Sequence, residues 1–148
     1  EQLNMYEKQI KKVDKRIQEI MDTFDSPIVT IPGISYRLGS IILAEIGDIH
    51  NFETPSQLLA FAGMEPSIYE SGKSKGSGKM VKRGSPYLRW AMYHAARLIA
   101  IYSPTFKTYY EKKMSEGKHY NVVISHVAKK LMRVIFHLLR KGQAYKEA

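Results

Sequence analysis

Seven apolar residues, Leu3, Tyr6, Ile10, Val13, Ile17, Ile20 and Phe24, recur at spacings that alternate between three and four. That rhythm is a heptad seam, and the residues between are mostly Glu, Lys, Gln, Asp and Arg. A helix with so narrow a stripe cannot satisfy it alone, because isolated helices are marginal in water. The spacing therefore predicts a coiled-coil helix over residues 1–26, ended by Asp25-Ser26-Pro27. Its partner is either its own copy in a homo-oligomer or a helix from elsewhere; a plain amphipathic helix lying on the domain is the other reading. The pattern begins at once at Glu1, without a methionine, which reads as a piece of something longer.

Residues 27–148 are punctuated as one helical domain. Ile28 to Gly47 reads as a short helix, a Pro32-Gly33 turn and a second helix from about Ser35 to Ile46. This is similar to a helix-hairpin-helix, whose turn amides grip a nucleic-acid backbone. The position of that motif's second glycine is Ser35. A purely structural hairpin, packing Leu38, Ile41, Ile42 and Ile46, therefore stays open beside the phosphate-binding reading. Thr54-Pro55, Ser85-Pro86 and Ser103-Pro104 each pair a capping hydroxyl with a proline suited to the first helical position. Gly63, Gly117 and Gly142 mark helix ends. The last helix carries Val123, Ile124, Val127, Leu131, Val134, Ile135 and Leu138 on one face. No segment keeps a strand alternation, so the expected class is all-α with one irregular basic Gly/Ser/Lys loop between Pro66 and Gly84, or a short hairpin there.

The net charge is +9, and it is localised. Residues 71–113 hold ten Lys/Arg and a single acid, while the rest of the chain carries thirteen of each sign. Within that span, Glu70 to Arg89 interleaves Lys73, Lys75, Lys79, Lys82, Arg83 and Arg89 with Ser71, Gly72, Ser74 and Ser77. Glycine lets a backbone approach another molecule, and lysine and arginine neutralise phosphate. The segment runs into Ser85-Pro86, a helix start whose free amides and positive dipole end favour anions. A clustered basic block with Gly and Ser between the charges points to a polyanion more strongly than to a solvated surface. On the residues alone, four serines compete for a chemical role. Ser85 is better explained as a helix cap, Ser74 and Ser77 as phosphate contacts or linker, and Ser71 leads only modestly because Glu70 and Gly72 flank it.

Other classes are excluded. No apolar run reaches membrane-spanning length, and no signal-peptide pattern opens the chain. Zero cysteines rule out disulfides and thiolate metal sites and fit a reducing cytoplasm. His50, His94, His119, His126 and His137 lack tight metal spacing, and Asp48, Glu53 and Glu65 are scattered near helix ends. Tyr69 and Tyr87 border the basic segment and are the best base-stacking candidates among ten tyrosines. Tyr93, Tyr102, Tyr109 and Tyr110 fit core or rim positions.

P-G-I-S (32–35), A-E-I-G (44–47), F-x-T-P-S-Q-L-L-A-F-A-G-M-E-P (52–66), Y-E-S-G-K (69–73), K-R-G-S-P-Y-L-R (82–89) and A-A (95–96) form one ordered set. In that order and spacing they resemble the C-terminal domain of the insertion-sequence transposases of the IS-one-ten family, relatives of the Piv-type DNA invertases. The resemblance covers about residues 28–140.

It implies a site-specific DNA recombinase whose N-terminal RuvC-like domain, joined through a coiled coil, bears a four-acid metal site. Magnesium is then expected at that domain and no cofactor within residues 1–148. It implies DNA as partner, a structured non-coding guide RNA, and a bacterial or archaeal cytoplasm beside the nucleoid. It also implies that Ser71 is the nucleophile forming a 5′-phosphoserine link to DNA. Gly72, Lys73, Lys75, Lys79, Lys82, Arg83, Ser85 and Arg89 would hold the nucleic acid. The chain alone would bind nucleic acid without cleaving it. The alternative is a non-catalytic nucleic-acid-binding and dimerisation module.

Overall fold

The computed structural model describes residues 1–65, the backbone of 70–71 and 74–75, and residues 84–148. Six α-helices run in chain order: α1 (Gln2–Phe24), α2 (Tyr36–Ile46), α3 (Pro55–Phe61), α4 (Pro86–Tyr102), α5 (Pro104–Ser115) and α6 (Tyr120–Lys141). Short 3-10 turns at Pro27–Thr30 and Ile49–Asn51 flank α2. Two paired segments, β1 (Glu70–Ser71) and β2 (Ser74–Lys75), lie antiparallel. The all-α class holds, and the basic stretch includes a short hairpin pairing. The rest of that stretch lies outside the described residues.

The helix starts follow their capping chemistry. Ser35, Thr54, Ser85 and Ser103 each accept a hydrogen bond from an amide three residues on, and proline opens α3, α4 and α5. After Gly142 the chain folds back over α5. Glu147 there accepts from the buried Ser103 hydroxyl at 2.9 Å and the Thr105 amide at 3.2 Å. Desolvation pushes the Glu147 carboxyl up, but the bonds from Thr105 and Ser103 outweigh it and hold it below its usual range.

The core is organised around α4, which packs on α2, α5 and α6. Its inward face is Leu88, Ala91, Met92, Ala95, Ala96 and Ile99, all fully buried. The alanines let neighbouring helices approach closely, and the larger Val127, Leu131 and Ile135 of α6 are likewise fully buried. The Pro27–Gly33 turn is part of this core rather than a free loop. Ile28 and Ile31 are buried, and the Gly33 backbone lies against Leu98 of α4. Among the described residues, no helix is long and apolar enough to cross a membrane.

Helix α1 behaves differently. Met21 is buried and Ile17 packs partly on the core, and Arg37 of α2 pairs bidentately with Asp14, at 3.0 Å for the Nε contact. Everything earlier on the seam stands in solvent, from Leu3 at 79% exposed to Val13 at 57%.

Gly33 has φ +85, and a Cβ added there would sit 2.7 Å from the Leu98 Cβ. Gly33→Ala should therefore cost about 2–4 kcal/mol, combining left-handed strain with overpacking. A thermal melt checks this; an unchanged midpoint would show that the turn is not wedged against α4.

Candidate nucleic-acid interface

The basic segment is anchored at its foot. The Ser85 amide donates to the Phe61 carbonyl at 2.8 Å, joining the start of α4 to the end of α3. Gly84 makes this closure possible: it has φ +101, and a Cβ there would lie 2.1 Å from the Phe61 oxygen. The Ser85 hydroxyl accepts from the Leu88 amide at 3.1 Å and donates to Glu45 Oε2 of α2 at 2.6 Å. Arg89 adds a long contact, its Nη1 donating to the Ala62 carbonyl at 3.4 Å. Helices α2, α3 and α4 thus converge where the chain re-enters the helical body.

Ser85 and Arg89 are therefore brought together at this foot, and both spend bonding capacity on the fold. The hydroxyl of Ser85 is engaged twice, which fits a cap and not a nucleophile. The helix start is also less free than its sequence suggests. Pro86 has no amide hydrogen, the Leu88 amide bonds Ser85 Oγ, and the Arg89 amide bonds the Ser85 carbonyl. Among the described residues, only the Tyr87 amide of that first turn is left for an outside acceptor. Arg89 is half-buried, and its one hydrogen bond among the described residues uses a single one of its five N–H donors.

The backbone of Ser71 pairs with that of Ser74, and Glu70 pairs with Lys75. Gly72, Lys73, Lys79, Lys82 and Arg83 lie outside the described residues, as do the side chains of Ser71 and Lys75.

Two features escaped the sequence. Glu45 stands forty residues before the serine it binds, and its only signal was being the one acid of α2. The other is α6, which carries Lys129, Lys130, Arg133, Arg140 and Lys141 and no acid. Whole-remainder counting hid that charge behind the acidic first seventy residues. Burial lowers the pKa of Lys129, and neighbouring Arg133 lowers it further. Two of these cations are structural: Arg140 donates to the Phe52 and Glu53 carbonyls at 3.0 and 3.1 Å, and Lys130 lies 4.4 Å over the Tyr109 ring.

The acids near the body do not form a metal site. Asp48 caps the second 3-10 turn and meets His50 Nδ1 at 3.0 Å. Among the described residues, no group of three or more His, Asp or Glu could hold an ion.

Comparison with known proteins matches residues 25–111 to the description "Transposase IS116/IS110/IS902 family". The chain is 27% identical over 145 residues to an insertion element IS110 uncharacterized 43.6 kDa protein from Streptomyces coelicolor, covering 97% of this chain and 36% of that one. It is 28% identical to the transposase for insertion sequence element IS1111A from Coxiella burnetii, covering 99% of this chain and 40% of that one. It is 25% identical over 122 residues to the pilin gene-inverting protein of Moraxella bovis, covering 81% of this chain and 38% of that one. The chain thus spans little more than a third of the length of these curated relatives.

Ser85→Ala removes both the helix cap and the Glu45 tie and should cost about 1–2 kcal/mol. Glu45→Gln keeps an acceptor oxygen and should cost less. Urea unfolding of both variants checks the order; equal stability to the parent chain would remove the foot from the account.

Proposed function

Because this chain belongs to the IS116/IS110/IS902 transposase family, we propose that it is the serine-bearing, DNA-gripping part of a transposase that acts as a site-specific DNA recombinase. The observation that carries this is the family match, whose span of residues 25–111 includes the entire basic segment from Glu70 to Arg89. The anchored foot adds physical support. Its bonds hold the point where the basic segment joins α4 against α2 and α3.

In this reading the Ser71 hydroxyl oxygen attacks the scissile phosphorus. An Oγ–P bond forms and the P–O3′ bond breaks. The 3′ oxygen leaves as an alcohol, gaining a proton in balance with the one serine loses. The product is a 5′-phosphoserine, which conserves the phosphodiester for rejoining. Lys73, Lys75, Lys79, Lys82 and Arg83 neutralise the non-bridging oxygens, and Gly72 lets the backbone come close. Ser85 holds the foot, and Arg89 offers its remaining donors to a neighbouring phosphate. Magnesium-binding acids belong, in this proposal, to a RuvC-like domain elsewhere in the parent protein. A guide RNA would meet the same cations, since they neutralise either backbone. The setting is the cytoplasm, beside the nucleoid.

The exposed seam of α1 fits a parallel or antiparallel coiled coil with a second copy. Ile10→Asp with Val13→Asp should abolish self-association in sedimentation without changing the helical domain's melting. Persistent oligomers would remove the seam from that role.

Ser71→Ala in the parent recombinase should lower strand transfer by at least about a thousandfold, the scale for losing a nucleophile, while DNA binding persists. A nicked suicide substrate should trap the adduct on Ser71 alone. Unchanged recombination would leave a non-catalytic nucleic-acid-binding and dimerisation module.

A further inference from the structure

Helix α4 has two faces, and the core explains only one. At 3.6 residues per turn, Tyr87, Trp90, His94, Arg97 and Ile101 fall within an arc of about 80° opposite the buried face. Tyr87 is 69% exposed, Trp90 54% and Ile101 67%. None of these three belongs to the hydrophobic core or packs against its margin. Burying aromatic rings of this size is among the larger gains available to a fold, so leaving them in solvent along one helix forfeits stability. A contiguous exposed patch of that kind marks a contact surface.

Its chemistry narrows the partner. Helix α4 contains Arg89 and Arg97 and no acid. Arg97 shares the arc with the aromatics, and the Trp90 ring lies tilted at 58° against His94 with centroids 4.3 Å apart. Aromatic faces interleaved with cations suit nucleobases, whose π-faces stack and whose phosphates carry the charge. Position narrows it further. Tyr87 and Trp90 lie in the first turns of α4, and Trp90 stands about 7.5 Å along the axis from Ser85 at the foot of the basic segment.

We propose that the outward face of α4, centred on Tyr87 and Trp90, is a stacking platform for unpaired bases of the DNA strand whose phosphates the basic segment holds. The inference rests on the DNA-handling reading for its partner, but not on Ser71 being a nucleophile. Phosphate contacts would hold the strand, and the platform would favour a strand whose bases are out of the duplex.

Trp90 is the chain's single tryptophan, so its fluorescence reports this site alone. Titrating the chain with a single-stranded oligothymidylate of about twenty nucleotides should quench it strongly, and a duplex of equal length should do so weakly. Trp90→Ala should weaken single-strand affinity about ten- to a hundredfold, the range for one lost base–aromatic stack, with the salt slope unchanged. Trp90→Phe should retain most of the affinity. A chain with Lys73, Lys75, Lys79 and Lys82 replaced by alanine should show the opposite pattern, a flatter salt slope with quenching kept at saturation.

Binding without quenching, or Trp90→Ala binding as well as the parent chain, overturns the platform. An effect of the lysine variant in that case would leave the DNA-binding reading standing. No binding by the unmutated chain overturns both. Equal quenching by the duplex, or tenfold tighter binding of a matching RNA strand, overturns the assignment to unpaired DNA. Quenching that follows protein concentration without oligonucleotide assigns the face to a protein contact instead.

Discussion

The hydrogen bond from Ser85 to Glu45 sets where the chain re-enters the helical body after the basic segment. The serine hydroxyl joins α2 to α4, its amide joins α4 to α3, and Gly84 makes the approach sterically possible. Each bond is modest alone, about 1 kcal/mol in a typical protein setting. Together they fix where the chain re-enters the helical body at Ser85.

Helix α4 joins the pieces. Its alanine-rich side permits three other helices to pack close, and the same helix begins at the foot of the basic segment and turns Tyr87 and Trp90 outward. A substitution on its inner side would thus be felt in stability and in the presentation of the outer side. The turn at Gly33, seated on Leu98, links the Pro27–Gly33 hairpin to the same helix. That contact favours the structural reading of the hairpin, because one side of the turn is already occupied by the protein itself.

Much of the fold was legible in the sequence because its signals are local. Serine or threonine before proline marked the starts of α3, α4 and α5, and most of the buried face of α6 followed from helical spacing. Ser85 was readable as a cap for the same reason. Its bond to Glu45 was not, because no local rule relates residues forty apart. The exposure of Trp90 was equally hidden: an aromatic on a helix reads as core until the opposite face is known to be filled. Tyr102, expected at a core or rim position, is exposed: it is the last residue of α4, at the end of the helix. The charge of α6 was missed for an arithmetic reason, since acids in the first seventy residues cancelled it in the sum.

One consequence follows from the way α1 is held. Its twenty-three residues form a rod about 35 Å long, and contact with the body begins only near Asp14. Such a rod is a lever. From Asp14 the free arm is about 18 Å long, so a tilt of about ten degrees there displaces the free end sideways by about 3 Å. Whatever lies along the exposed seam is therefore aimed by Met21 and the Arg37–Asp14 pair, and small repacking there would be magnified into a sideways swing at the tip.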